Sequence, residues 1–411
     1  MKKIYIIFVL CCFFNNVCGQ HNESIVIGKT DSIYSKVLNE TREIWIHVPD
    51  GIYDGSLQKK KYPVLYLLDG NSHFHAVVGM INQLSPTNGD AICPKMIIVG
   101  ILNTNRTRDL TPTKPTEKQS NVSRDKMENS GGGKAFMSFI ETELIPYIDS
   151  KYKTESYRMF IGHSLGGLTV MNTFIHKPEL FNAYVAIDPS MWWNNKNLLR
   201  KIKQTKFDEK YSNTSLFLAI ANTMSKEMDT IKVKKDTTDA TQHIRAILEL
   251  NAVLNKDTLH NVSYKGKYYK DDSHSSIPLI ATYDALRHIF GFYRMHITKR
   301  DLMNPKNDVL GEIKKYYQRL SKEFKRDIKP KQYYIEDLAY QLIEMKQFKK
   351  AEAFLKLNVA NYPEDFYVYS SLADFYIEIG NKEKAIENFK KSNAVHKNSY
   401  ATEQLQKIEK Q

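Results

Sequence analysis

The residues best suited to chemistry lie around Ser164, in residues 162–166, which read Gly-His-Ser-Leu-Gly. The residues before them have the composition of a short buried strand, and those after them have helical spacing. A serine flanked by two glycines at such a junction fits the G-x-S-x-G pattern, in which a sharp turn excludes side chains at the glycines and exposes the serine hydroxyl. We predict that Ser164 is a nucleophile and that the backbone N–H of Leu165 faces a developing oxyanion. The alternative is a tight strand–helix turn without chemistry.

A serine hydroxyl needs a base within hydrogen-bond reach, and histidine is the usual one. His274 follows the last predicted strand, residues 262–269, and precedes the closing helix. His163 adjoins the serine but points away from it across the turn, while His243 and His288 lie within predicted helices. We therefore predict that His274 is the base.

The acid that would orient this histidine is less clearly marked. In a strand–helix order of this kind the acid lies between the serine and the histidine along the chain. The loop after the strand that ends at Ala221 offers Glu227 and Asp229, and Asp272 lies two residues before the histidine. We predict Asp229, with Glu227 and Asp272 as alternatives. A serine–histidine pair without a third member is also compatible, because the acid mainly fixes the tautomer.

Two further features suit a binding site: a second oxyanion donor and a pair of adjacent tryptophans. The second oxyanion donor is expected in the backbone of Gly70 or Asn71, just after the predicted strand 62–68. Trp192 and Trp193 follow the end of another strand. Adjacent tryptophans outside a strand are rarely both buried in the core, so we predict that at least one of them lines an aromatic or sugar-binding pocket.

The long polar loop 103–129 carries Arg106, Arg108 and Asp109. One interpretation is a loop held by its own ion pairs, and the other is a pair of arginines that faces the substrate. His73 and His75 lack a carboxylate motif, so no metal site is predicted, and no phosphate loop or dinucleotide glycine pattern is present.

Strand-like and helical segments alternate up to about residue 297, which predicts a doubly wound, mostly parallel α/β sheet. From about residue 298 the helical spacing is uninterrupted. Leu338-Ala339 recurs as Leu372-Ala373, 34 residues later, which is the tetratricopeptide period. We predict a helical linker over 298–330 and a small all-α domain of helical repeats over 331–411, which acts as a stabilising appendage or binds a protein partner.

The N-terminus has the order of a secretory signal: Lys2 and Lys3, an apolar run over 4–14, and small residues before Gln20. We predict a signal peptide over 1–19, cleaved near Gly19, and a mature protein in the periplasm or outside the cell. A lipoprotein anchored at Cys18 is the minor alternative. No stable membrane span is expected.

The composition fits a folded protein that is basic overall. Only Cys93 remains once the leader is removed, which leaves no internal disulfide. The formal net charge is +13. Because the basic residues are dispersed and no nucleic-acid motif is present, we interpret them as a solvated surface. An anionic substrate or an anionic surface as partner is the weaker alternative.

Several motifs occur together in an order found in one known group of enzymes. They are residues 62–70, 106–112, 162–167 and 188–193, and the turn around His274. Over roughly residues 24–295 the chain resembles the esterase family of α/β-hydrolases that contains esterase D, feruloyl esterases and enterochelin (siderophore) esterases.

The resemblance implies an α/β-hydrolase fold over residues 20–297, a serine nucleophile at Ser164 and a base at His274. Together with the leader over residues 1–19, it leads us to predict an exported, metal-independent serine esterase without a cofactor. This enzyme would work through an acyl-enzyme on a small-molecule ester, such as a siderophore or an aryl or acyl carbohydrate ester. Arg106 and Arg108 with the two tryptophans would suit an anionic catecholate or an aryl ester. The alternatives are an acyltransferase that uses the same acyl-enzyme and a non-catalytic binding protein that works through its helical repeats.

Overall fold

The computed structural model of the protein describes residues 25–51, 60–85, 91–115, 122–256, 261–295 and 297–410. The predicted signal peptide, residues 1–19, lies outside these ranges. No helix within them is both long and apolar enough to cross a membrane.

Within the described residues the chain forms one eight-stranded sheet. Its strands are β1 (Lys29–Ser35), β2 (Glu40–His47), β3 (Tyr62–Leu67), β4 (Ile97–Ile101), β5 (Thr154–His163), β6 (Ala183–Ile187), β7 (Thr214–Ala221) and β8 (Val262–Tyr269). Their spatial order is β1-β2-β4-β3-β5-β6-β7-β8. The strand β2 pairs antiparallel with both of its neighbours, and all pairs from β4 to β8 are parallel. This arrangement confirms the predicted mostly parallel α/β sheet.

Both faces of the central strands are buried, which explains their nearly continuous apolar sequences. In β3 every residue is buried. Val64 and Tyr66 belong to the core on one face, whereas Leu65 and Leu67 belong to the core on the other. This alternation follows from the two-residue period of a strand.

Helices cover the two faces. In chain order they are α1 (Gly70–Leu84), α2 (Arg106–Leu110), α3 (Arg124–Glu128), α4 (Gly133–Phe139), α5 (Ile145–Lys151), α6 (Leu165–His176), α7 (Trp193–Gln204), α8 (Gln242–Leu254) and α9 (Ile277–Ile289). A π-helical turn, Ile140–Leu144, joins α4 to α5. The helices α1 and α9 pack on one face, and α4, α6, α7 and α8 pack on the other. The parallel strands thus bring their carboxyl ends to one edge, where the loops that carry the candidate residues begin.

The rest of the chain is helical, as predicted. It contains α10 (Lys299–Met303), α11 (Val309–Phe324), α12 (Gln332–Glu344), α13 (Phe348–Asn361), α14 (Phe366–Glu378), α15 (Lys382–Val395) and α16 (Ser399–Glu409). The starts of α12 and α14 are 34 residues apart, as are the starts of α13 and α15. The assignment to tetratricopeptide repeats stays a prediction.

The helix α11 joins this helical segment to the sheet. Its Leu320 and Phe324 lie in the same core as Tyr157 of β5 and Phe290. The rings of Phe324 and Tyr157 have centroids 5.3 Å apart. The C-terminal helices are therefore anchored on the sheet by apolar packing.

Candidate active site

The serine lies at a strained turn between β5 and α6. Ser164 has φ 60° and ψ −117°, a conformation that costs energy for any residue but glycine and that is typical of functional sites. Three backbone hydrogen bonds hold it: its N–H donates to the carbonyl of Ile187 (3.0 Å), and its own carbonyl accepts from the N–H groups of Leu168 (3.0 Å) and Ser190 (3.0 Å). A Cβ atom on Gly162 would lie 2.4 Å from the carbonyl of Gly166, so only glycine fits there.

The neighbouring strand β6 supplies a carboxylate at the same edge. Asp188 follows β6 directly, with φ 42°. Its Oδ2 lies 2.6 Å from Nδ1 of His274, and its Oδ1 accepts a hydrogen bond from the N–H of Ala221 at 2.9 Å. The carboxylate side chain is fully buried. Burial alone would raise its pKa, but hydrogen bonds from His243 and His274 hold the pKa of Asp188 well below its usual range.

A second histidine contacts the same carboxylate. Nε2 of His243, the second residue of α8, lies 2.8 Å from Oδ2 of Asp188. The rings of His243 and His274 are nearly perpendicular, at 88°, with centroids 5.1 Å apart. Sequence reasoning placed His243 within a helix and gave it no role.

Ser164 and His274 open into one cavity of about 280 Å³. The hydroxyl oxygen of Ser164 lies 3.4 Å from that of Ser190. The remaining lining residues are Trp192, Thr223, Asp239, Ala240, Gln242 and His243. Among the described side chains that line this cavity, none is lysine or arginine, so the wall is polar and aromatic with one acidic group.

The structure does not place Asp229 beside His274. The exposed carboxylate of Asp229 instead accepts hydrogen bonds from the backbone N–H groups of Ile231 and Lys232, both at 2.7 Å. Its pKa is lowered by these bonds, first that from Lys232. The place predicted for Asp229 is therefore taken by Asp188.

The two alternative acids are also elsewhere. The carboxylate of Asp272 accepts from the hydroxyl of Ser276 at 3.0 Å. Glu227 is exposed and, like Asp272, does not line the cavity that Ser164 and His274 share. The sequence did contain a signal for Asp188. It follows a run of five buried strand residues directly, and parallel neighbouring strands end at one edge of a sheet.

The two predicted oxyanion donors both begin helices at this edge. Leu165 is the first residue of α6, and Gly70 is the first residue of α1. First-turn amides of a helix have no carbonyl partner within the helix, so they are suited to bind an anion. Gly70 is packed so closely that an added Cβ would lie 2.8 Å from the backbone of Gly100.

The arginines of the predicted loop hold the structure around the serine. The guanidinium of Arg106 donates to both carboxylate oxygens of Asp69, at 2.6 and 2.9 Å, and to the carbonyl of His163 at 3.3 Å. Arg108 pairs with Glu40 and with Asp109. Neither arginine lines the cavity. Both arginines are engaged in ion pairs, as the first interpretation expects, but only the Arg108–Asp109 pair lies within the loop, since Asp69 and Glu40 belong to other parts of the chain.

The two tryptophans lie in different environments. Trp192 lines the cavity. Trp193 is 3% exposed, and its indole N–H donates to the carbonyl of Thr113 at 2.9 Å. Of the predicted aromatic pair, Trp192 is therefore placed to contact a ligand, and Trp193 belongs to the core.

Asp188, His243 and His274 also hold potential metal-ligating atoms within 4.8 Å of one another. The separations of 2.6 and 2.8 Å between carboxylate oxygen and ring nitrogens are hydrogen-bond lengths. A metal ion between these atoms would have to replace both hydrogen bonds.

Known proteins resemble this chain over the region that forms the sheet. A family model described as "Putative esterase" matches residues 35–282. The ferri-bacillibactin esterase BesA of Bacillus subtilis is 35% identical over 150 residues, which are 34% of this chain and 52% of that protein. A siderophore enterobactin esterase of Emericella nidulans is 28% identical over 163 residues, which are 36% of this chain and 53% of that protein. The chain thus spans about half the length of these curated relatives.

Among solved structures, an IroE-like serine hydrolase from Shewanella oneidensis superposes with a TM-score of 0.63 at 29% identity. The match covers 80% of this chain and 98% of that one.

Proposed function

Since the chain belongs to the Putative esterase family, we propose that it hydrolyses carboxylic esters through Ser164, His274 and Asp188. One observation carries the proposal: His274 is bonded to a buried carboxylate at 2.6 Å and opens into the same cavity as a serine held on a strained turn. The arrangement combines nucleophile, base and orienting acid, which an acyl transfer to serine requires.

The chemistry follows from the tautomer of His274. An ionised carboxylate only accepts hydrogen bonds, so Nδ1 of His274 carries the hydrogen and Nε2 keeps its lone pair. In the proposed reaction Nε2 takes the proton of the Ser164 hydroxyl as the oxygen attacks the ester carbonyl carbon. The carbonyl oxygen becomes an oxyanion, which the N–H groups of Leu165 and Gly70 stabilise.

The tetrahedral adduct then breaks down. His274 gives its proton to the leaving alcohol, the ester C–O bond breaks, and an acyl-enzyme remains on Ser164. A water molecule attacks the acyl-enzyme as His274 takes a proton from it. The carboxylic acid leaves when that proton returns to the serine oxygen.

The substrate class we propose is a siderophore ester. The curated relatives named above are esterases of bacillibactin and enterobactin. In the cavity, the ring of Trp192 can contact an apolar or aromatic part of such a molecule. Export belongs to the same proposal and rests on the composition of residues 1–19.

The first test uses the mature protein from Gln20 with p-nitrophenyl acetate and butyrate, beside Ser164→Ala and His274→Ala. We expect turnover by the wild type and a loss of about three orders of magnitude or more in each variant. Thermal unfolding of all three proteins checks that the variants fold. A wild type that neither turns over nor reacts with a fluorophosphonate would refute the serine mechanism.

The second test addresses the substrate. Enterobactin and bacillibactin, each iron-free and iron-loaded, are incubated with wild type and with Ser164→Ala, and the products are identified by mass spectrometry. We expect hydrolysed esters with wild type alone. If the nitrophenyl esters are turned over and the siderophores are not hydrolysed, the protein is an esterase for another class of substrate.

A further inference from the structure

The carboxylate of Asp188 is bound by two imidazoles at one oxygen. His274 Nδ1 and His243 Nε2 lie 2.6 and 2.8 Å from the same Oδ2. The mechanism above uses only one of these histidines. The other, His243, belongs to α8 and also lines the cavity, and its side chain is 20% exposed.

The geometry defines what His243 contributes. The carboxylate only accepts, so Nε2 of His243 carries a hydrogen and donates it. A carboxylate oxygen has two lone-pair directions, and two nearly perpendicular rings approach this one. The other oxygen accepts from the N–H of Ala221. The carboxylate of Asp188 therefore cannot rotate without breaking hydrogen bonds at both oxygens.

We propose that His243 is a positioning residue for the esterase reaction, which fixes the rotation of the Asp188 carboxylate and keeps it ionised beside His274. The inference rests on the proposed function. A buried carboxylate is costly to keep charged unless several donors satisfy it. When His274 becomes cationic by taking the serine proton, Asp188 must stay an acceptor rather than take a proton itself. A second donor on the same oxygen favours that state.

This role distinguishes His243 from a residue that only lines the cavity. If His243 acts through Asp188, its removal matters only while Asp188 carries its charge. In Asp188→Asn the amide oxygen is expected to accept from the N–H of Ala221, so the NH2 group, which only donates, faces the two histidines in place of the charged oxygen. The effects of the two substitutions should then be strongly non-additive, as is expected for residues that act as a unit.

The experiment is a double-mutant cycle of His243→Ala and Asp188→Asn in the mature protein. Its two readouts are kcat and KM for p-nitrophenyl butyrate and the rate of labelling by a fluorophosphonate. We expect His243→Ala to lower kcat and the labelling rate about 10–100-fold with Asp188 present, and less than about twofold in the Asn background. His243→Gln keeps an N–H donor at similar reach, so it should recover most of the lost rate.

Gln242→Ala is the matched control, since Gln242 precedes His243 and lines the same cavity. Whatever its size, its effect should be the same in both backgrounds. Three results would overturn the role of His243 while leaving the esterase proposal intact. They are equal effects of His243→Ala in the two backgrounds, no effect of His243→Ala on either rate, and no recovery of the rate in His243→Gln. Failure of the esterase proposal itself would show earlier, as a wild type without turnover or labelling.

Discussion

The imidazole of His163 packs against that of His274, with 4.5 Å between ring centroids and 42° between ring planes. Burial, together with the neighbouring rings of His274 and His73, lowers the pKa of His163 to about 4. Its Nε2 is buried and has no hydrogen-bond partner among the described residues. His163 therefore forms a neutral wall beside the proposed base.

The burial of His163 predicts how the free energy of unfolding depends on pH. Unfolded His163 takes up a proton near pH 6.5, but the folded protein resists it down to about pH 4. Between these values the unfolded state binds more protons, so the free energy of unfolding falls as the pH falls. Urea titrations at a series of pH values should show that fall, and His163→Asn should reduce it by about 2 kcal/mol.

His47, His73 and His288 also have lowered pKa values, mainly through burial, so part of the fall remains in the variant. Curves for wild type and His163→Asn that run parallel from pH 6.5 to 4 would show that folding does not oppose protonation of His163.

A second prediction distinguishes Asp188 from the acid expected at Asp229. Asp188→Asn replaces the buried carboxylate that holds the tautomer of His274 by a neutral amide, and we expect kcat/KM for p-nitrophenyl butyrate to fall about 10³–10⁴-fold. Asp229→Asn changes an exposed carboxylate bonded only to nearby backbone among the described contacts, and we expect a change below about twofold. Steady-state kinetics of the two variants give the answer. If Asp229→Asn instead lost much more activity than Asp188→Asn, the acid that orients His274 would be Asp229, in the loop after β7.

The sheet and the serine turn could be predicted from the sequence because their signals are local. Continuous apolar runs mark buried parallel strands, and the glycines around Ser164 meet a steric requirement that any such turn imposes. Local signals alone could not single out the acid, because polar loops begin at the ends of several strands, and the loop after β6, which holds Asp188, is only one of them. The identity of the acid depends on which of several polar loops reaches His274, and that is settled by contacts 86 residues apart along the chain.

The same limit applies to the arginines and tryptophans. Arg106 and Trp193 have the chemistry of ligand-binding residues, yet one is paired with Asp69 and the other is buried against Thr113. Residue type alone does not distinguish a side chain that faces a cavity from one that supports the loop behind it.

A third prediction tests the packing of the serine turn. Gly162→Ala would place a methyl group 2.4 Å from the backbone of Gly166, so the turn must distort. We expect a loss of about 1–3 kcal/mol in unfolding free energy and a large fall in the rate of labelling by a fluorophosphonate. Gly79 is the control, because it lies in α1 with nothing within 4 Å of an added Cβ. Gly79→Ala should raise the unfolding free energy by about 0.5–1 kcal/mol with labelling unchanged. Normal labelling of Gly162→Ala would contradict a rigid turn.

A fourth prediction concerns the attachment of the C-terminal helices. Glu155 of β5 is 6% exposed, and its carboxylate pairs at 2.8 Å with Arg326, which follows α11. Burial raises the pKa of Glu155, although Arg326 opposes that shift. Arg326→Met would leave the carboxylate buried without this cation. Because the Arg326 side chain is itself half exposed, solvent screens the pair, and we expect a loss of about 1 kcal/mol in unfolding free energy at pH 8.

Because the pKa of Glu155 is raised in the folded protein, its destabilising effect grows as the pH rises through that pKa and disappears below the pKa of the unfolded chain. The loss in Arg326→Met should therefore shrink toward pH 4. The double variant Glu155→Gln/Arg326→Met removes the charge together with its partner, so it should recover most of the stability at pH 8. Chemical denaturation of the three proteins at both pH values tests this. A loss that is independent of pH and persists in the double variant would mean that Arg326 acts through packing instead of charge.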